Sequence, residues 1–196
     1  VYPLRHEFEK GDFDLIALSL PYEQLYTNAL NMIDLGGMPI HAEERDESYP
    51  LIVAGGHAVY NPEPMAPFID IFVIGEAEGV MMEIIATMMG CQEKGYDRET
   101  QLRYIAMIEG CYVPRFYDVA YNGDGTVAAI TPNMPEAPPK VLKAIAPPLP
   151  EPVTEFVVPF IETVHTRAPI EIMRGCTRGC RFCHAGMVTR PVRERP

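Results

Sequence analysis

The residues best suited to chemistry lie near the end of the chain. Cys176, Cys180 and Cys183 fall within eight residues, spaced C-x-x-x-C-x-x-C. A loop of this kind can turn three thiolates toward one point, which suits a metal cluster and suits a packed core badly. Three ligands on a four-iron cluster leave one iron without a protein ligand, and catalytic metal sites keep such a position open for substrate or cofactor. A structural zinc site usually takes four ligands in two pairs. Here there is one compact group, with His184 as a candidate fourth ligand. A disulfide sits badly with an odd count of five cysteines. The other two, Cys91 and Cys111, have no cysteine near them in sequence and read as semi-buried thiols.

Charge is distributed unevenly. The formal net charge is −11, yet residues 167–196 carry seven arginines and two glutamates. The preceding 166 residues carry nine basic and 25 acidic side chains. The acidic majority argues against a nucleic-acid surface. The basic end reads either as a solvated tail or as fixed donors for anionic groups held by the cysteine loop. No apolar run reaches the length of a membrane span, so no membrane partner is expected. Five cysteines without a secretory signal point to a reducing cytoplasm.

Several elements must position these groups. Residues 14–20, 51–54 and 71–74 are short apolar runs, as expected of buried parallel strands. Helical spacing follows the first from Pro21 to Ile33, with Gly36 and Gly37 to stop it. A second helix is expected over 78–89, with Val80, Met81, Ile84, Ile85 and Met88 inward and Gly90 as its end. Residues 97–108 fit a helix capped by Asp97. Asn122-Gly123-Asp124-Gly125 is a strong hairpin signal between strands at 111–121 and 126–131. Nine prolines between 132 and 159 predict an extended spacer. The alternation of strands and helices predicts an α/β sheet, with ligands at its carboxyl edge. That edge carries Ser19, Gly55, Gly56, Gly75 and Glu76.

With Phe182 just before its third cysteine, the loop resembles the signature of the radical S-adenosylmethionine (radical SAM) superfamily. The strand endings Ser19-Leu20, Gly55-Gly56 with Asn61-Pro62-Glu63-Pro64, and Gly75-Glu76 with Glu78 are similar to the second half of the cobalamin-binding domain found in cobalamin-dependent members. Over the whole chain the similarity is to an uncharacterised family of cobalamin-binding-type radical SAM proteins. The resemblance implies a [4Fe–4S] cluster on Cys176, Cys180 and Cys183, with S-adenosylmethionine as the second cofactor and Phe182 beside its adenine. It implies cobalamin at Ser19, Gly55 and Gly56, an electron donor such as flavodoxin or ferredoxin, and methyl transfer to an unreactive carbon. No Asp-x-His-x-x-Gly is present to supply a histidine for cobalt, and His41 and His57 read as surface histidines. The alternatives are a radical SAM enzyme whose sheet domain does not bind cobalamin, and a non-catalytic iron–sulfur or zinc module.

The expected fold class is α/β, with four parts. Residues 1–93 would be the second half of a flavodoxin-like, cobalamin-binding-type parallel sheet, and 94–131 a helix and β-hairpin. Residues 132–166 would be the proline-rich spacer, and 167–196 the start of a radical SAM (β/α) barrel, with 169–174 as its first strand. A barrel needs about 200 residues. The chain is therefore expected to be a fragment, lacking the start of its first domain and most of its second, and inactive by itself. The substrate, met by absent barrel strands, is not legible.

Overall fold

The computed structural model describes residues 13–146, 151, 155, 167 and 169–195. The chain divides into two compact units, Val1–Ile145 and Ala146–Pro196.

The first unit is built on a four-stranded sheet in the order β1-β2-β3-β4, with β1 Leu15–Ser19, β2 Leu51–Gly55, β3 Ile71–Val73 and β4 Cys111–Tyr112. The first three strands are parallel; β4 runs antiparallel to β3, so the sheet is mixed where an all-parallel one was expected. The reason is local: Cys111, Tyr112 and Val113 are all buried and occupy the free edge of β3, which would otherwise leave backbone groups unpaired. The expected long strand from 111 to 121 is thereby split. Its second half, β5 Tyr117–Tyr121, pairs with β6 Val127–Pro132 as the separate hairpin that Asn122 to Gly125 predicted.

Strand alternation sorts the core into two clusters. Leu51, Val53, Ile71 and Val73 face α2 (Ala77–Glu93) and α3 (Arg98–Ala106), where they pack on Val80, Ile84, Met88, Leu102 and Ile105. Ile52, Ala54 and Phe72 face the other way, against Ala29 and Ile33 of α1 (Tyr26–Leu35) and Val59 and Met65 of single helical turns between β2 and β3. Two helix boundaries differ from expectation. A single 3-10 turn, Glu23–Leu25, precedes α1, so Pro21 is not its first residue. Helix α2 runs through Gly90, which takes no positive φ, and Gly95, at φ 66°, follows its end. Ile85, expected inward, is exposed, while Cys91 is buried. Helix α3 matches expectation, with the Asp97 carboxylate accepting the Thr100 N–H at 2.8 Å.

The expected spacer begins later than its prolines suggest. Ala137 is buried, Pro138 accepts from the Tyr117 hydroxyl at 2.8 Å, and Ala144 forms a parallel bridge with Gly75. Proline removes a donor but keeps its carbonyl, so such a stretch can still dock as an acceptor. Most of 147–166 lies outside the described residues. In the second unit, β7 is only Met173–Arg174, shorter than the strand expected over 169–174. It pairs antiparallel with β8, Arg193–Glu194, and α4, Ala185–Val188, lies between them.

Candidate metal centre

Strand β7 delivers the chain to Gly175, at φ 94°, where a Cβ would stand 2.5 Å from the Pro191 carbonyl oxygen. Only glycine passes this point without strain. The cysteine loop follows. The Arg178 N–H donates to Cys176 Sγ at 3.4 Å, and the Gly186 N–H donates to Cys183 Sγ at 3.3 Å. The Cys183 N–H donates to the Cys180 carbonyl at 3.0 Å, which sets the turn between the second and third cysteines. Cys176 and Cys183 are half-buried, whereas Cys180 is exposed. Among the described residues no group of three His, Cys, Asp or Glu side chains is gathered in metal-binding geometry. The donor set nevertheless fits an iron–sulfur group: three thiols on one loop, two of them already receiving the N–H donors that tune such sulfurs.

The arginines divide by task. Arg174 donates to the Glu171 carboxylate at 2.8 and 3.1 Å, and Arg195 reaches it at 3.1 Å. Hydrogen bonding from Arg174, followed by that from Arg195, holds the Glu171 carboxyl below the usual carboxylate range. Arg190 braces the loop through the Arg178 carbonyl at 2.9 Å. Arg178 and Arg181 are exposed. The Phe182 ring is 93% exposed. Covering such a ring is worth about 1.5–3 kcal/mol, so it is a ready stacking face.

The sheet's carboxyl edge brings Ser19, Gly55 and Gly56 together, since Ser19 and Gly55 are register partners. Ser19 is exposed, and a Cβ on Gly55 would meet nothing within 4 Å. Gly56 behaves differently. Its φ is 110°, and a Cβ there would stand 2.6 Å from the Leu20 carbonyl oxygen. Leu20 donates to Gly55 and accepts from Ala58, so the close approach expected for a ligand is made by the chain itself. Gly75 repeats this against Ala144, whose oxygen would lie 2.2 Å from an added Cβ. Among the described residues, cavities of about 540 and 410 Å³ open near the amino ends of the strands, beside Asp14 and Leu51 and beside Ile69 and Asp70.

The family of radical SAM proteins, N-terminal, matches residues 3–114, more than half of this sequence. The chain belongs to the radical SAM family. Over 200 aligned residues, and along its whole length, it is also 30% identical to an uncharacterized protein of Methanocaldococcus jannaschii. It spans 35% of that relative. No solved structure matches it. Radical SAM proteins generally carry a [4Fe–4S] cluster and use S-adenosylmethionine. In this radical SAM chain the matched stretch holds β1 to β4, and the cysteine loop lies beyond it. Among the described residues no helix is long and apolar enough to cross a membrane.

Sequence reasoning missed one charged cluster. Asp70 Oδ2 accepts from Arg45 at 3.0 Å and from the Ile52 N–H at 2.9 Å, and forms an ion pair with Arg98 at 3.0 Å, with the carboxylate fully buried. Arg45 also holds the Pro39, Ile40 and Phe68 carbonyls, and Arg98 those of Tyr49 and Pro50. The cluster ties the loop before β2 and the start of α3 to the sheet. Its one signal in the sequence is an aspartate between two isoleucines at the head of β3.

Proposed function

We propose that this chain is part of a radical SAM enzyme in which Cys176, Cys180 and Cys183 hold a [4Fe–4S] cluster with one iron open to S-adenosylmethionine. When bound, the cluster would supply the electron that cleaves the sulfonium reductively, giving methionine and a 5′-deoxyadenosyl radical. The observation that carries this is the three-thiol loop with N–H donors on two sulfurs, in a chain of this family. The backbone N–H groups of Arg178 and Gly186 would hold two thiolates in place. The Phe182 ring would stack on the adenine, and the exposed Arg178 and Arg181 would offset the anionic cofactors. The loop would sit at the head of a (β/α) barrel, fed by an electron donor such as flavodoxin or ferredoxin in a reducing cytoplasm.

In the fuller version of this reading, the sheet domain is flavodoxin-like and takes cobalamin along Ser19, Gly55 and Gly56, and the outcome is methyl transfer to an unreactive carbon. The open space at Gly55 and the exposed Ser19 beside it support that version. A second version, a sheet domain that takes no cobalamin, is supported by Gly56 and Gly75, which already press on Leu20 and Ala144. Cobalt content of the full-length protein separates the two.

The test of the shared reading is product analysis. Full-length protein, reconstituted anaerobically with iron and sulfide and reduced with dithionite, should form 5′-deoxyadenosine from S-adenosylmethionine, read by mass spectrometry. Formation no faster than in a protein-free control would overturn it and leave a non-catalytic metal module.

A further inference from the structure

One residue of the cysteine loop has a role that the ligand spacing does not disclose. Gly186 is buried although its helix, α4, is a single turn in an exposed loop. An added Cβ on Gly186 would stand 3.5 Å from Cys183 Sγ and 3.9 Å from Cys176 Cβ. The first and third cysteines, seven positions apart in sequence, therefore come against the same point. The Gly186 N–H also donates to the Cys183 sulfur, at 3.3 Å. Its φ is not positive, so the backbone does not require glycine here. Space does.

Resting on the cluster reading above, we infer that Gly186 is a positioning residue for the cluster. Its bare α-carbon is the floor on which Cys176 and Cys183 are brought together, and its N–H fixes the direction of the Cys183 sulfur. Cys180, which is exposed, is then the ligand that closes onto a pair already in place. The distances make a graded claim. A Cβ at 3.5–3.9 Å is in ordinary contact, so alanine fits. The γ-carbons of valine reach about 1.5 Å further and would enter the space of the sulfur or of Cys176. Helix preference differs on valine, since it ranks both alanine and valine above glycine. A glycine with a merely conformational role would therefore be improved by either change.

The experiment uses the full-length protein, reconstituted anaerobically, as wild type, Gly186→Ala, Gly186→Val and Cys183→Ala. Iron retention is read by titration with a chelator and by the charge-transfer absorbance near about 400 nm. Loss of a group that orients a metal ligand typically weakens metal affinity about 10- to 100-fold. Gly186→Val should fall in that range, with Gly186→Ala close to wild type and far-UV circular dichroism unchanged in both. Valine retaining iron as well as wild type, while Cys183→Ala loses it, would overturn this inference and leave the cluster reading standing. Alanine and valine losing iron equally would overturn it as well, because space would not be the cause. Equal iron in wild type and Cys183→Ala would remove the cluster reading itself, and this inference with it.

Discussion

In the sheet unit two strand-end glycines of positive φ press against the chain's own backbone, Gly56 on Leu20 and Gly75 on Ala144. In the cysteine loop Gly175 does the same against Pro191, but Gly186 lies against two thiol side chains. Charge divides similarly. The sheet unit uses Asp70, Arg45 and Arg98 on one another, out of reach of solvent. The cysteine loop leaves Arg178, Arg181 and Phe182 facing outward. A strand-end glycine or a buried arginine thus means little until its contact is known. In one unit these residues complete the fold; in the other the same residue types stand ready for something added.

The comparison can be broken most forcefully at Asp70. Replacing it with alanine strips Arg45, Arg98 and the Ile52 N–H of a shared acceptor inside the fold. Breaking a buried ion cluster in this way costs about 3–5 kcal/mol. Urea unfolding followed by circular dichroism should show a loss of that size. A loss below about 1 kcal/mol would mean the cluster is not the anchor described here.

A second test uses the cysteines of the two regions. Burial, with Glu83 nearby, pushes the Cys111 thiol up from 9.0 to about 12. Below pH 9 the thiol is protonated in both folded and unfolded chains, and its contribution is constant. Above that, the unfolded chain releases the proton first. Stability should therefore fall by about 1.4 kcal/mol per pH unit between about pH 9 and about pH 12. Cys111→Val should lessen this decline, leaving the part due to Cys91, Tyr26, Tyr60, Tyr112 and Tyr117, which burial also pushes up. At neutral pH, iodoacetamide should modify the exposed Cys180 while Cys111 reacts only on unfolding.

Two smaller effects sharpen the picture. Gly75→Ala forces a left-handed φ on alanine and drives its Cβ into Ala144, at about 1–3 kcal/mol. Hydrogen exchange at the Glu76 and Ala144 amides, which bond across this contact, should quicken. Gly55→Ala, with nothing within 4 Å, should leave exchange there unchanged. Asp97→Ala removes the cap on α3 and should cost about 1 kcal/mol in the same unfolding assay.

Much of the fold was legible because its signals are local. The apolar run of β2, the Asp97 cap and the Asn122 to Gly125 turn each determine their element within a few residues. What escaped depends on partners far along the chain. The antiparallel β4 exists because β3 has a free edge, and the docking of Ala144 depends on Gly75 and Gly110 leaving room. Helix α2 continues through Gly90 because the preceding turns are already packed on the sheet. For the site, cysteine spacing pointed to the radical SAM family, and the family match came independently from residues 3–114, which lack the motif. The spacing could not disclose Gly186, whose importance lies in where its missing side chain would point.

The most direct test of the three-cysteine site is a substitution series in full-length protein, reconstituted anaerobically and assayed for bound iron and for absorbance near about 400 nm. Alanine at Cys176, Cys180 or Cys183 should abolish both signals, and alanine at Cys91 or Cys111 should preserve them. Full iron occupancy in the Cys180→Ala protein would contradict the assignment.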